Sequence, residues 1–222
     1  MSLKTELNIF SDIPAQVIAE SAHFQDVHPT TALDNTTSVI EFNIQASNVE
    51  YLDLNDTLLS LRAKVVKGDG TNMKTTDPLQ PVPSNYFLNA LFSDVSLSLN
   101  DVQIEGGNSM YPYKATIENA LNFSDDAKVL QLLPAGYSDE EDERKEWIAD
   151  SKEFELVGAL RLDFLNQPKY IVPGVSVRIR LQKAVDAFAL HMAKNDAYDG
   201  TSAWKMIISQ CILYVRRVKV NP

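Results

Sequence analysis

Cysteine is nearly absent from this chain, because its 222 residues include a single one, Cys211. One thiol can form neither an internal disulfide nor a cysteine-rich zinc site, so both kinds of stabilised domain are excluded. A chain of this length buries enough apolar surface to fold without them. Cys211 lies in the apolar run 207–215 with no histidine near it in sequence. It is therefore predicted to be a buried small hydrophobe rather than a nucleophile.

Histidine is equally scarce, with three residues in the chain. His23 and His28, together with Glu20, are the only candidates for a metal site, and they lack a metal-ligand spacing. Asp186 and His191 are five residues apart, which fits neither helical nor strand same-face spacing. No nucleophile elbow or phosphate loop occurs either. The sequence thus predicts no catalytic residue, no cofactor and no metal, and we expect a protein that is not an enzyme.

Positive charge and long apolar runs are also in short supply. The net charge of −10 argues against wrapping nucleic acid by bulk electrostatics, because that needs clustered lysine and arginine. No apolar run approaches the ~18 residues of a membrane span. The first residues contain no apolar core of a secretory signal. We therefore expect a protein that is made inside the cell, is not secreted and has no membrane partner.

What the sequence does contain is alternation of apolar and polar residues with a period of two, which is typical of half-buried strands. Asn100-Asp101, between Leu99 and Val102, predicts a tight hairpin turn. The final segment predicts a central strand that turns basic at its end. The predicted strands are 39–44, 58–66, 95–100, 154–165, 175–181 and 206–220.

Many strands, few helices and short turns favour an all-β fold, an antiparallel β-sandwich with short helical insertions, over an α/β fold. The strand faces also predict which side chains meet between the two sheets. The predicted core comprises Ile40, Phe42, Leu59, Leu61, Leu97, Leu99, Leu160, Leu162, Val177, Ile179, Cys211 and Leu213.

Helical patterning is confined to the middle of the chain. Tyr111-Pro112 offers a helix start, followed by apolar residues at Tyr113, Ile117, Ala120 and Leu121. Further short helices are predicted after Ser124 and from the capping-box pattern 138–141. Residues 139–146 hold six acids and two bases, which predicts a solvated surface segment. Long loops are expected at 68–83 and 136–151, and loops of this length are common places for contacts or insertions.

Two groups of basic residues leave two interpretations open. Arg216, Arg217 and Lys219 form one group, and they are the candidate contact for a polyanion or an acidic partner. Arg178, Arg180 and Lys183 form the other, with Arg161 expected beside them. The competing interpretation, which we favour, is that these cations pair with the surplus of acids on exposed strand faces.

Several blocks of the chain share their order and spacing with one known family. They are 50–57 (EYLDLNDT), 85–95 (NYFLNALFSDV), 95–104, 111–118 (YPYKATIE), 157–188 and 212–222 (ILYVRRVKVNP). These blocks resemble the N-terminal half of hexon-like double jelly-roll major capsid proteins, in particular those of Polinton/Maverick and adintovirus-like elements. The resemblance implies a jelly roll of about eight strands.

The resemblance also implies a structural role with no catalytic residues. Family members carry two jelly rolls per chain, form homotrimers and tile an icosahedral shell around a DNA genome. It implies a capsid location in the virion, partners that are copies of the same chain and other capsid proteins, and nucleic acid only as packaged genome. Residues 31–222 would form one jelly-roll domain, either the first half of a longer chain or a standalone derivative. Residues 1–30 would form an N-terminal arm, packing on a neighbour, or a first strand.

A β-sandwich binding module without catalysis, lectin-like or an exapted capsid domain, is the alternative. Such a module would present aromatic side chains on its loops. Tyr86, Tyr137, Tyr198 and Trp204 are its candidate contacts.

Overall fold

The period-two segments pair into two antiparallel four-stranded sheets that pack face to face. The computed structural model describes residues 19–34, 37–77, 79–192 and 204–220. The strands are β1 (Ala19–Val27), β2 (Val39–Ile44), β3 (Glu50–Lys67), β4 (Pro81–Pro83), β5 (Phe92–Leu99), β6 (Val102–Glu105), β7 (Phe154–Gly158), β8 (Val177–Lys183), β9 (Leu190–Met192) and β10 (Trp204–Val220). The short strands β4 and β9 pair only with each other.

The order of the strands in each sheet defines the architecture. One sheet runs β1-β10-β3-β7 and the other runs β2-β8-β5-β6. Successive long strands therefore alternate between the sheets until the β5–β6 hairpin, after which the chain returns in the reverse order. Two four-stranded sheets wound in this way form a jelly roll. The predicted all-β, antiparallel jelly-roll class is confirmed.

The hairpin turn between β5 and β6 lies at the predicted dipeptide. Asn100 and Asp101 have φ values of 45° and 66°, the left-handed conformation that both central residues of a type I′ turn need. β10 is central as predicted, since it pairs with β1 on one side and β3 on the other.

The strand predicted over 154–165 is wrong in its second half, because β7 ends at Gly158. Ala135 and Leu88 lie so close to Gly158 that a Cβ there would come within 3 Å of both. The chain leaves the sheet at this point. Leu160 and Leu162 nevertheless reach the core from an irregular segment.

The core lies between the sheets and contains the predicted side chains. Eleven of the twelve are buried, and Leu99 packs against them while only partly buried. Phe42, Leu59, Leu61 and Ile179 have no measurable exposure. Apolar burial between the sheets is thus the main force that holds the sandwich together.

The helices are insertions, mostly between β6 and β7. They are α1 (Phe87–Ala90), α2 (Tyr111–Asn122), α3 (Asp125–Ala127), a π-helical turn (Lys128–Leu132), a 3₁₀ turn (Leu133–Ala135), α4 (Glu141–Ile148), a second 3₁₀ turn (Ala149–Ser151) and α5 (Asp186–Ala189). No helix in the described part of the chain is long and apolar enough to span a membrane. We call residues 106–153 the helical insertion.

The N-terminal prediction lies partly outside the described residues, which begin at Ala19. Residues 19–27 form β1, which pairs with β10 along its length and is an edge strand of the first sheet. Within the described part, this segment is a first strand of the sandwich. The packing of an arm on a neighbour stays a prediction.

Candidate functional site

The titratable residues singled out in the sequence do not converge. Glu20 is ion-paired with Lys219 at 2.8 Å, and Asp186 with Lys183 at 2.8 Å. His191 lies on β9 with Nδ1 3.5 Å from Ser84 Oγ, and burial lowers its pKa. In the part of the chain that the structure describes, no group of three or more His, Cys, Asp or Glu side chains could hold a metal ion.

Cys211 lies on β10 in the core with 1% exposure. Burial raises the pKa of its thiol to about 12. The thiolate is the reactive form of cysteine, so a buried thiol with this pKa is chemically inert near neutral pH.

Arg216 binds carboxylates of its own chain. Its guanidinium donates to Asp56 and, at 3.3 Å, to Asp53. Asp53 is buried on β3, and both burial and the nearby Asp56 raise the pKa of its carboxyl group while Arg216 lowers it. The arginine therefore offsets the repulsion between two neighbouring acids.

Arg217 points to the opposite face, as adjacent strand residues must. It is buried, its Nε donates to Gln25 at 2.5 Å, and an Nη donates to the main-chain oxygen of Gln45 at 2.9 Å. Glu50 lies 3.6 Å from its other Nη. Arg216, Arg217 and Lys219 thus each have an acid of this chain within ion-pair distance, and their contact with an external polyanion stays a prediction.

The residues predicted for the second basic group do not all lie together. Arg178 contacts Asp101 at 2.6 Å and Glu41 at 3.3 Å across the β8 surface. Arg161 does not join this row, because it lies in the irregular segment after β7. Its guanidinium is stacked on the Phe123 ring at 5.1 Å.

Two of the aromatic contacts expected of a binding module, Tyr86 and Tyr137, are wrong, because they are not exposed. Tyr86 and Tyr137 are buried, and their rings pack against each other with centroids 5.1 Å apart. They join Leu132 in a small second cluster, because the chain folds back over residues 132–137. Trp204 begins β10 and packs partly buried on the core, while Tyr198 lies outside the described residues.

The helical insertion is fastened to the sandwich by polar groups. Glu105, at the end of β6, accepts hydrogen bonds from Lys114 Nζ at 2.7 Å and from the main-chain N–H groups of Asp163 and Phe164 at 2.9 and 3.0 Å. The buried Tyr111 hydroxyl accepts from Asn89 Nδ2 at 2.9 Å. These contacts hold α2 against the sandwich, where it packs beside β5 and α1.

The apolar side chains whose spacing predicts α2 face away from the sandwich. Tyr113, Ile117 and Leu121 are 53%, 58% and 79% exposed, whereas Tyr111, Ala115 and Asn119 are buried. Val129, Leu130 and Leu133 in the following turns are also exposed. The helix that the sequence pattern predicted therefore presents an exposed apolar face.

A cleft of about 780 Å³ lies beside the end of α2. Its lining includes Arg161, Glu118, Asn122, Phe123 and Asn55. Burial lowers the pKa of Arg161 and raises the pKa of Glu118. Acids and a base face the same space, so the cleft favours neither an anion nor a cation.

Solved capsid structures share this fold. A structure of the Sputnik virophage matches 97% of this chain and 51% of its own with a TM-score of 0.58 at 11% identity. The PBCV-1 virus capsid matches 96% of this chain and 45% of its own, with a TM-score of 0.55 at 12% identity. The mavirus major capsid protein matches 96% of this chain and 50% of its own, with a TM-score of 0.53 at 14% identity.

The chain has the jelly-roll fold of viral major capsid proteins. The resemblance to hexon-like jelly-roll proteins that the sequence blocks carry is thereby confirmed at the level of the fold. The described chain spans about half the length of these capsid chains.

Comparison by sequence adds one curated relative. The uncharacterized protein F54H12.2 of Caenorhabditis elegans is 27% identical over 153 residues, which are 63% of this chain and 36% of that protein. No family model matches the chain.

Proposed function

We propose that this chain is a structural capsid subunit, a hexon-like jelly-roll protein that self-assembles into a viral-type icosahedral shell. The observation that carries the proposal is the jelly roll β1-β10-β3-β7 over β2-β8-β5-β6, whose fold is similar to capsid structures over 96–97% of the chain.

The finer features of the proposal follow the sequence resemblance. The subunit is a homotrimer of the Polinton/Maverick and adintovirus type, located in the virion capsid, with copies of itself and other capsid proteins as partners. Nucleic acid is present only as the packaged genome, and no membrane is involved. Residues 31–222, completed by β1 as a first strand, are one jelly-roll domain, which corresponds to about half of a capsid chain of the kind it matches.

Sedimentation velocity and electron microscopy of the purified chain test this function. We expect a discrete oligomer with the mass of three chains, and ordered sheets or closed particles at high concentration. A single monomeric species over the whole concentration range, with no ordered assemblies on the grid, would contradict the proposal. A lysozyme-sized monomeric standard in the same runs calibrates the mass.

A further inference from the structure

The exposed face of α2 carries no charge. All of Tyr111–Asn122 is described, and its fully exposed residues are Tyr113, Thr116, Ile117, Ala120, Leu121 and Asn122. The two charged residues of the helix, Lys114 and Glu118, are half-buried and lie 3.8 Å apart. Charged residues make up 23% of the chain, and depletion of charge is the compositional mark of an interface core.

The apolar surface continues beyond α2 onto a neighbouring element. The ring of Tyr113 meets the ring of Phe188, in α5, edge to face with centroids 5.7 Å apart. Val185 is 74% exposed, and its carbonyl accepts a hydrogen bond from the Phe188 N–H. We call Tyr113, Ile117, Leu121, Val185 and Phe188 the α2 patch. Phe188 itself is partly buried, and neighbouring exposed apolar side chains of this kind are typical of an interaction site.

The net charge of the chain and the lack of charge on the α2 patch indicate which kind of partner fits this patch. The chain carries a net −10, so a cationic partner gains most at acidic surfaces such as α4, and nothing at an uncharged face. A membrane surface requires lysines or arginines beside the apolar stripe. The only cation of α2, Lys114, is held by Glu105 at 2.7 Å and Asp163 at 2.9 Å.

A second copy of this chain fits the remaining conditions. Two copies with a net charge of −10 each repel one another on average, and this repulsion is weakest where neither copy presents charge. Tyr113, Ile117 and Leu121 follow one another at intervals of four residues, which makes a ridge that packs into the groove of an identical helix. An isologous contact of this kind uses the same patch on both partners.

We propose that the α2 patch docks on the α2 patch of a second copy of this chain. The proposal rests on the capsid function proposed above and names a two-fold contact between neighbouring trimers, because an isologous contact cannot close a three-fold ring.

Chemical cross-linking tests the surface directly, because the chain offers a clean background. Cys211 is 1% exposed with a thiol pKa of about 12, so it does not compete for a maleimide. The single variants Tyr113→Cys, Ile117→Cys and Leu121→Cys are treated with a short bis-maleimide. Val49→Cys and Val102→Cys, at sites 62% and 63% exposed, are the matched controls. We expect covalent dimer from at least one α2 variant and background from both controls, whereas equal yields at all sites overturn the proposal.

A charge substitution gives an independent measurement. Ile117→Asp places a carboxylate in the centre of the patch without touching the core, and we expect the concentration for half-association to rise roughly tenfold or more. Val49→Asp should leave it unchanged. If Ile117→Asp associates like the parent while ordered assemblies persist, the α2 patch is overturned and the capsid proposal stands. If the unmodified chain is monomeric and forms no assemblies, both fail.

Discussion

The sandwich and the helical insertion use apolar residues in opposite ways. In the sandwich, Phe42 and Leu61 are fully buried between the sheets. In α2, Tyr111 and Asn119 are buried against the sandwich, whereas Ile117 is exposed to solvent. The sandwich therefore completes its core within one chain, whereas the insertion leaves its most apolar face uncovered.

The forces that hold the two regions differ accordingly. Burial between the sheets stabilises the sandwich without requiring specific polar partners. The insertion depends on directed hydrogen bonds, such as those of the buried Arg144 in α4. Its Nε donates to the Pro83 carbonyl at 2.9 Å, and its guanidinium also donates to the Ser138 carbonyl. A region held in this way presents a fixed external surface at little cost to the core.

The largest expected contrast comes from the same substitution made in both regions. Leu61→Ala leaves a cavity between the sheets and should lower the free energy of unfolding by about 2–5 kcal/mol. Leu121→Ala, at a site 79% exposed, should change it by less than about 0.5 kcal/mol in dilute monomer. Urea titration by circular dichroism measures both. Equal losses would mean that the α2 patch is already covered within the monomer.

The next largest loss of stability is expected from a substitution at Gly106, where the chain enters the helical insertion. Gly106 has φ of +101°, and a Cβ there would lie 2.5 Å from Ser96 Cα. Gly106→Ala should cost roughly 1–3 kcal/mol from overpacking in addition to backbone strain. Gly174→Ala is the control, since its φ is +87° with no atom within 4 Å of the added Cβ. The melting temperature should fall further for Gly106→Ala, and identical shifts would show that strain alone acts.

Arg144 and Lys145, which are neighbours in α4, allow the contribution of a buried cation to stability to be compared with that of a more exposed one. Arg144→Met leaves the Pro83 and Ser138 carbonyls without their donor, which should cost about 1–3 kcal/mol in urea denaturation. Lys145→Met removes only a pair with the exposed Asp142 and should stay within about 0.5 kcal/mol. Comparable losses would argue against polar anchoring of the insertion.

The smallest change in stability should come from the ion pair between Arg62 and Glu155 on the outer face of the first sheet. Hydrogen bonds from Ser60 and then Arg62 lower the pKa of Glu155 below its usual 4.5. The native state therefore binds its proton less readily than the unfolded chain, so this stabilisation is present above pH 4.5 and disappears as the pH falls. Both charged side chains are nearly half exposed, which limits the effect to under about 1 kcal/mol.

The test compares Glu155→Gln with the parent by urea denaturation at pH 7 and at pH 3. The variant should be less stable at pH 7 and nearly equal at pH 3. A difference that persists unchanged at the lower pH would mean that the carboxylate charge plays no part.

Most of the sandwich could be predicted because the alternation of neighbouring residues determines which strand side chains are buried. Alternation around Ile40 and Phe42 fixes which side chains face inward, and Asn100-Asp101 fixes the β5–β6 register through its turn. The end of β7 could not be predicted, since Gly158 leaves the sheet where Ala135, distant in sequence, packs on it.

The candidate contacts were harder to place, because exposure depends on distant parts of the chain. Tyr86 and Tyr137 are 51 positions apart and look like loop aromatics, yet they bury each other. Arg216 and Arg217 look like one basic cluster, yet the pleat sends them to opposite faces and to different acids.

By itself, the sequence determined the all-β class, the inward residues of the strands, the helical nature of α2 and the absence of disulfide chemistry. Each of these depends on composition or on side chains a few positions apart. The tertiary structure alone decided which apolar faces are covered. A periodic apolar stripe shows that a helix has a face to bury, but only the position of α2 on the jelly roll leaves Tyr113, Ile117 and Leu121 open to a partner.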